Sequence, residues 1–116
     1  MSKYQNAGNS PSLDQLYELL RQRESRGEYA LAEPIMRQIL EVPGQPPQQY
    51  LYLPAEFYEA WGDVETGSAT AAYCYREALN CRYRIGSMAT GSGEGAEAML
   101  HANRVKRKLD RLTAVK

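Results

Sequence analysis

Side chains able to trade protons, attack a carbonyl or ligate a metal are few in this 116-residue chain. Its one histidine, His101, falls in a stretch of helical periodicity between apolar residues and Asn103. A metal site needs further His or Cys at ligand spacing. The two cysteines, Cys74 and Cys81, stand seven apart on another segment. Two helical turns separate their α-carbons by roughly 10 Å, too far for a disulfide. They read as small buried hydrophobes in a reducing compartment. The acid pairs Glu56/Glu59 and Glu94/Glu97 have the spacing of one helix face, where charges are ordinarily solvated. Gly91-Ser92-Gly93-Glu94-Gly95 is glycine-rich, yet it follows no strand and lacks the Lys-Ser/Thr of a phosphate loop. No catalytic residues, no metal and no cofactor follow from these residues.

Residues suited to binding are more plentiful. The chain uses nine tyrosines and a single phenylalanine. Tyrosine packs an apolar body and keeps a polar tip, which suits partly wet surfaces and binding sites. Phe57, Trp61 and Tyr75 fit a core, and the remaining tyrosines fit either rim packing or a recognition surface. In the second reading Tyr17, Tyr52 and Tyr58 run along a peptide groove. Charge is also uneven. From His101 onward six Lys or Arg stand against one Asp, while the whole chain is neutral. Arg104, Arg107, Lys108 and Arg111 share one broad helix face. That face is either simply solvated, with cations favoured at a helix C-terminus, or a docking site for an acidic segment. Nucleic acid is disfavoured, because a phosphate-tracking surface usually makes the whole domain basic.

These residues need elements to hold them. A chain of this size buries roughly 65% of its unfolded surface and forms one domain by default. Residues 1–11 are small and polar and predict a disordered tail, leaving a single domain over 12–116. Ser12 with Gln15 makes a capping box for a first helix that runs to about Arg26, with Leu13, Leu16, Tyr17 and Leu20 on one face. Gly27 ends it. A second helix starts near Ala30 or Leu31, or else is kinked at Pro34, and ends at Val42-Pro43-Gly44. Its apolar residues Ala32, Ile35, Met36, Ile39 and Leu40 recur at helical spacing. Tyr50-Leu51-Tyr52-Leu53-Pro54 alternates as a strand would. With no ladder partner in a helical chain it is better read as an extended lead-in or an irregular helix start. A third helix follows with Phe57, Trp61 and Val64, and a fourth with Ala71, Ala72, Tyr75, Ala78 and Leu79. Residues 86–95 predict a flexible linker by composition. The last helix, about 94–114, sets Ala98, Ala102, Val105, Leu109 and Leu112 in a four-three seam that docks on the preceding pair. The fold class is all-α: antiparallel helix pairs in a stack, closed by a C-terminal helix.

The spacing of Gly27, Tyr29, Ala32, Met36 and Leu40 resembles a tetratricopeptide repeat. The run Gly-Glu-Tyr-Ala-Leu-Ala-Glu-Pro-Ile-Met-Arg-Gln-Ile-Leu is most similar to the kinesin-light-chain-like version. A second repeat matches through Ala71-Ala72-Tyr73-Cys74-Tyr75-Arg76-Glu77-Ala78-Leu79. Its first helix departs from the pattern, with Trp61-Gly62-Asp63 close to Gly67. The resemblance implies about two repeats over residues 13–85, with a concave groove that takes peptides or partner helices.

The function expected is therefore a non-catalytic protein–protein interaction module: an adaptor, chaperone or assembly factor. Tyr17, Tyr52 and Tyr58 would give contact area, and Arg21, Arg104 and Lys108 would complement an acidic partner. Two alternatives stand beside it. The chain could self-associate as a homodimer through exposed stack ends, or bind nucleic acid through the basic last helix. No apolar run approaches the roughly 20 residues of a membrane span, and the start lacks a signal-peptide core. A cytoplasmic location is the expectation.

Overall fold

The computed structural model describes residues 11–46, 49–89 and 91–114, and every regular element among them is helical. The helices are α1 (Leu13–Ser25), α2 (Tyr29–Leu40), α3 (Gln49–Val64), α4 (Ser68–Met88) and α5 (Ser92–Ala114). Sequence neighbours pack as pairs, α1 with α2, α3 with α4, and α4 with α5. Loops this short make each pair antiparallel. The single domain expected over 12–116 resolves into two compact units, one reaching Gly44 and one beginning at Gln45. Apart from Pro11, the tail expected over residues 1–11 lies outside the described residues.

The first unit is a helical hairpin. Gln15 N–H donates to Ser12 Oγ at 3.1 Å and Ser12 N–H donates to Gln15 Oε1 at 2.8 Å, so the capping box closes on both sides. Gly27 adopts φ +74°, the left-handed conformation that glycine reaches without a Cβ penalty, and turns the chain into α2. Leu16 and Leu20 of α1 are buried, as are Ala32, Met36 and Ile39 of α2. Their four- and three-residue spacing is the reason both segments form helices with an inner stripe. Pro34 lies within α2 past its first turn. Its missing N–H leaves the Ala30 carbonyl without a helical donor, and Ala30 is exposed, where water can serve it.

The second unit is a three-helix arrangement centred on α4. Alanines at 71, 72 and 78 are buried, as are Cys74, Tyr75, Leu79 and Ile85. Small side chains there let neighbouring helices come close. One close approach is at Gly62 of α3, where an added Cβ would lie 2.7 Å from Tyr75 Cε1. Phe57, Tyr58, Trp61 and Tyr73 join edge-to-face and stacked, with centroids 5.3 to 6.3 Å apart. Trp61 Nε1 donates to Glu65 Oε1 and Gly67 N–H to Glu65 Oε2, tying the end of α3 to the start of α4.

Two boundaries differ from the expectation. Tyr50 to Pro54 is the opening of α3, neither strand nor extended lead-in. Leu51, Pro54, Ala55 and Tyr58 are buried, a helical period that outweighs the local alternation. The linker expected over 86–95 shrinks to the few residues between Met88 and Ser92. Gly86 belongs to α4 because it packs against Ala98 of α5, with 3.4 Å left for an added Cβ. Ala98, Ala102 and Val105 form the buried seam by which α5 packs on α4, with Leu109 and Leu112 half-buried at its far end.

Candidate functional site

Helices α3 and α5 carry charge pairs of opposite sign at one-turn spacing, Glu59 and Asp63 facing Arg104 and Lys108. Arg104 grips Glu59 with two parallel bonds, Nε to Oε2 at 2.7 Å and Nη2 to Oε1 at 2.6 Å. This bidentate geometry is the strongest form of the pair. Lys108 Nζ donates to Glu59 Oε2 at 2.8 Å and to both Asp63 oxygens at 3.0 and 3.1 Å. Tyr75 on α4 closes the chain, its hydroxyl donating to Asp63 Oδ1 at 2.8 Å. Lys108 Nζ also stands 6.0 Å over the Tyr75 ring.

The bonds set the proton affinities. Arg104, against the cost of burial and with help from Lys108, holds Glu59 down at about 2. Burial and the Asp63 carboxylate push the Tyr75 hydroxyl well above its ordinary range. Hydrogen bonding to Glu59 raises Arg104. For Lys108, burial works downward and is overcome by its bonds to Glu59 and Asp63, so its affinity rises. Each of these four groups is held in its charged or protonated resting form. A general acid or base needs the opposite, a group poised near the working pH. Chemically the seam is a lock between α3 and α5.

His101, one turn before Arg104, extends the seam. Arg104 Nη1 lies 2.6 Å from His101 Nδ1. A guanidinium can only donate, so Nδ1 accepts and the neutral ring carries its proton on Nε2. Burial, then the charges of Arg82 and Arg104, hold the imidazole below its ordinary affinity. Arg82 on α4 is 4% exposed, and its Nε has no hydrogen-bond partner. It forms no ion pair among the described residues.

The structure distributes the expected recognition residues over several settings. Tyr17 and Arg21 lie together on α1 in the first unit, the guanidinium 6.0 Å over the ring. In the second unit, Tyr58 is only 3% exposed, within the aromatic cluster. Tyr52 is half-buried beside Leu51, Ala55, Ile85 and Ala98 and lines a cleft of about 20 Å³ with Met88 and Glu94. Arg104 and Lys108 are brought together, but onto acids of their own chain. Of the repeat positions, Ala32, Met36, Ala71, Tyr75 and Ala78 are buried, Tyr29 is half-buried and Gly27 makes the turn.

Glu59 corrects the sequence reading. Expected as an exposed helix-face charge with Glu56, it is 8% exposed. Its spacing held the signal: it lies four after Ala55 and eight after Leu51, on the buried stripe. Cys74 and Cys81 form no disulfide with each other, and burial raises the Cys81 thiol. Among the described residues no three His, Cys, Asp or Glu gather as a metal ion would need, and no helix is long and apolar enough to cross a membrane.

The outer side of α5 is built differently. Met99 and Leu100 are 50% and 69% exposed, and Ala96 and Asn103 beside them are exposed too. Arg107 and Arg111 follow on the same side, exposed and without an ion pair among the described residues. The helix thus offers an apolar half and, about 11 to 17 Å along its axis, a cationic half. Comparison with known proteins finds no matching family model, no similar curated protein and no similar solved structure.

Proposed function

We propose that this chain is a non-catalytic interaction module that docks a peptide or helix of a protein partner, as an adaptor, chaperone or assembly factor does. One observation carries the reading. Helix α5 is already anchored by its inner seam, yet it leaves Met99 and Leu100 open to water and, beyond them, two cations without an ion pair among the described residues. Large apolar side chains adjacent on a helix surface are a common signature of recognition. The complementary partner is an amphipathic segment with apolar residues about two to three turns from acidic ones. Arg104 and Lys108, tied to Glu59 and Asp63, would shape this helix and leave contact to Arg107 and Arg111.

The test compares proteins retained by the full chain with those retained by M99E/L100E and by R107E/R111E. One partner bound by the wild type and weakened about tenfold or more by each double variant, at unchanged helix content, supports the reading. A partner held equally by all three would overturn it. So would light scattering that shows a concentration-dependent dimer abolished by M99E/L100E, since a second copy would then be the occupant.

A further inference from the structure

Helix α5 carries a second stripe, opposite the seam that packs on α4. Alternate steps of four and three from Gly93 reach Glu97, Leu100, Arg104, Arg107 and Arg111, the spacing of one helix face. Arg104 is already bonded to Glu59. The others are exposed, and Glu97, Arg107 and Arg111 form no ion pair among the described residues. The open face therefore runs in a fixed order along roughly 21 Å: an acid, an apolar residue, then two cations. There is room beside the apolar residue. Ala96 is short and exposed, and a Cβ added at Gly93 would meet nothing within 4 Å. A second copy does not fit this order. Setting Leu100 on its own copy in an antiparallel pair places Arg107 against Gly93 and Arg111 against position 89, before α5 begins. Sliding the pair until Arg107 meets Glu97 places Leu100 against Arg104 and Arg111 against Gly93. A parallel pair sets like charge on like.

We propose that the occupant of this face is an amphipathic helix of another protein, docked antiparallel to α5, with two acids in its first turns, apolar residues at its middle and a cation toward its end. This rests on the docking surface proposed for α5, and adds to it the direction of the partner and a third contact, at Glu97. The direction follows from the helix dipole, which favours acids in the first turns of a helix and cations in the last. Antiparallel docking lays the partner's first turns on Arg107 and Arg111, which call for acids. It lays the last turn on Glu97, which calls for a cation. Both charges then stand where the partner's own dipole favours them. Parallel docking needs the cation first and the acids last, so each opposes the dipole of the helix that carries it. In between, bulky apolar side chains of the partner cover Ala96, Met99 and Leu100, which the chain itself leaves exposed.

The experiment titrates two alanine-based helical peptides, capped at both ends, into the full chain at low salt. The first carries two glutamates one turn apart near its start, leucines two turns further on and a lysine one turn beyond them. The second has the same residues in reverse order. The first should bind about fivefold tighter than the second, and E97K should weaken it about threefold or more at unchanged helix content. A paramagnetic tag on its acidic end should broaden the amide signals around Arg107 and Arg111 and spare those around Ala96. Equal or tighter binding of the reversed peptide, broadening around Ala96, or an E97K variant that binds as the wild type does overturns the proposal. Failure of both peptides, while a protein partner is still lost in M99E/L100E and R107E/R111E, overturns the direction and leaves the docking surface standing. If no partner responds to those variants either, the docking surface itself falls. A concentration-dependent dimer abolished by L100E gives the face to a second copy and overturns the proposal as well.

Discussion

Arg104 and Arg82 show how one residue type carries very different energetic weight. Arg104 is bonded twice to a buried carboxylate, so removing it strands that charge, and R104M should cost about 2 kcal/mol once solvent at its half-open side is allowed for. R82M removes a guanidinium that forms no ion pair among the described residues and whose buried Nε is unbonded, and it should be close to neutral. Urea midpoints of the two variants at pH 7 check the contrast. Glu59 makes a second prediction through pH. Its affinity is lowered from 4.5 to about 2, so the ionised form is favoured by folding. The stability it adds is fully present above about pH 4.5 and is lost as pH falls from there toward 2. The size is on the order of 2 kcal/mol. E59Q should unfold more easily at pH 7 and lose less on acidification across that window. Acid unfolding of E59Q parallel to the wild type would place the acid sensitivity elsewhere.

At the scale of helices, two glycines make opposite predictions, Gly62 of α3 against α4 and Gly86 of α4 against α5. Gly62 faces the Tyr75 ring, where a Cβ would come within 2.7 Å, and Tyr75 is tied to Asp63 and cannot swing away freely. G62A should lose about 1–2 kcal/mol, overpacking outweighing the helix propensity gained. Gly86 leaves 3.4 Å to the Ala98 methyl, an ordinary contact. G86A should therefore gain up to about 1 kcal/mol, and thermal unfolding of both variants reads the difference. These helices were largely legible in the sequence because their signals are local: the Ser12 box, the Gly27 turn, and the apolar period through Ala32, Met36 and Ile39. The misread stretches are those where local and distant signals conflict. Tyr50 to Pro54 alternates like a strand, but burial of Leu51, Pro54 and Ala55 decides for helix. Gly86 reads as linker by composition and is a contact by packing. Glu59 looks like any surface acid, since its partners Arg104 and Lys108 stand 45 and 49 residues away. Two matched charge pairs at four-residue spacing were visible on separate helices. The four-three seam placed the last helix on the preceding pair, but not the rotation that sets Arg104 and Lys108 against α3.

Over the whole molecule, a neutral chain concentrates six of its fourteen Lys and Arg in the last sixteen residues. Counted by charge alone, that end would draw nucleic acid, and the packing argues otherwise. Arg104 and Lys108 are bonded to Glu59 and Asp63, and Lys106 is paired with Asp110 at 3.0 Å. Among the described residues of that stretch this leaves Arg107 and Arg111 for an outside anion. Each phosphate neutralised on duplex DNA contributes about −0.9 to the slope of log affinity against log salt. Two free arginines therefore limit the slope to about −2, and binding that weak fades by physiological salt. Fluorescence anisotropy of a labelled duplex of about 20 base pairs, between about 25 and 200 mM salt, should give that shallow slope or no binding. A slope of about −5 would mean that the seam opens and releases its cations to the phosphates, and the lock between α3 and α5 would then be a switch. R107E/R111E separates the cases, for it abolishes a two-contact interaction and only weakens one that draws on the seam.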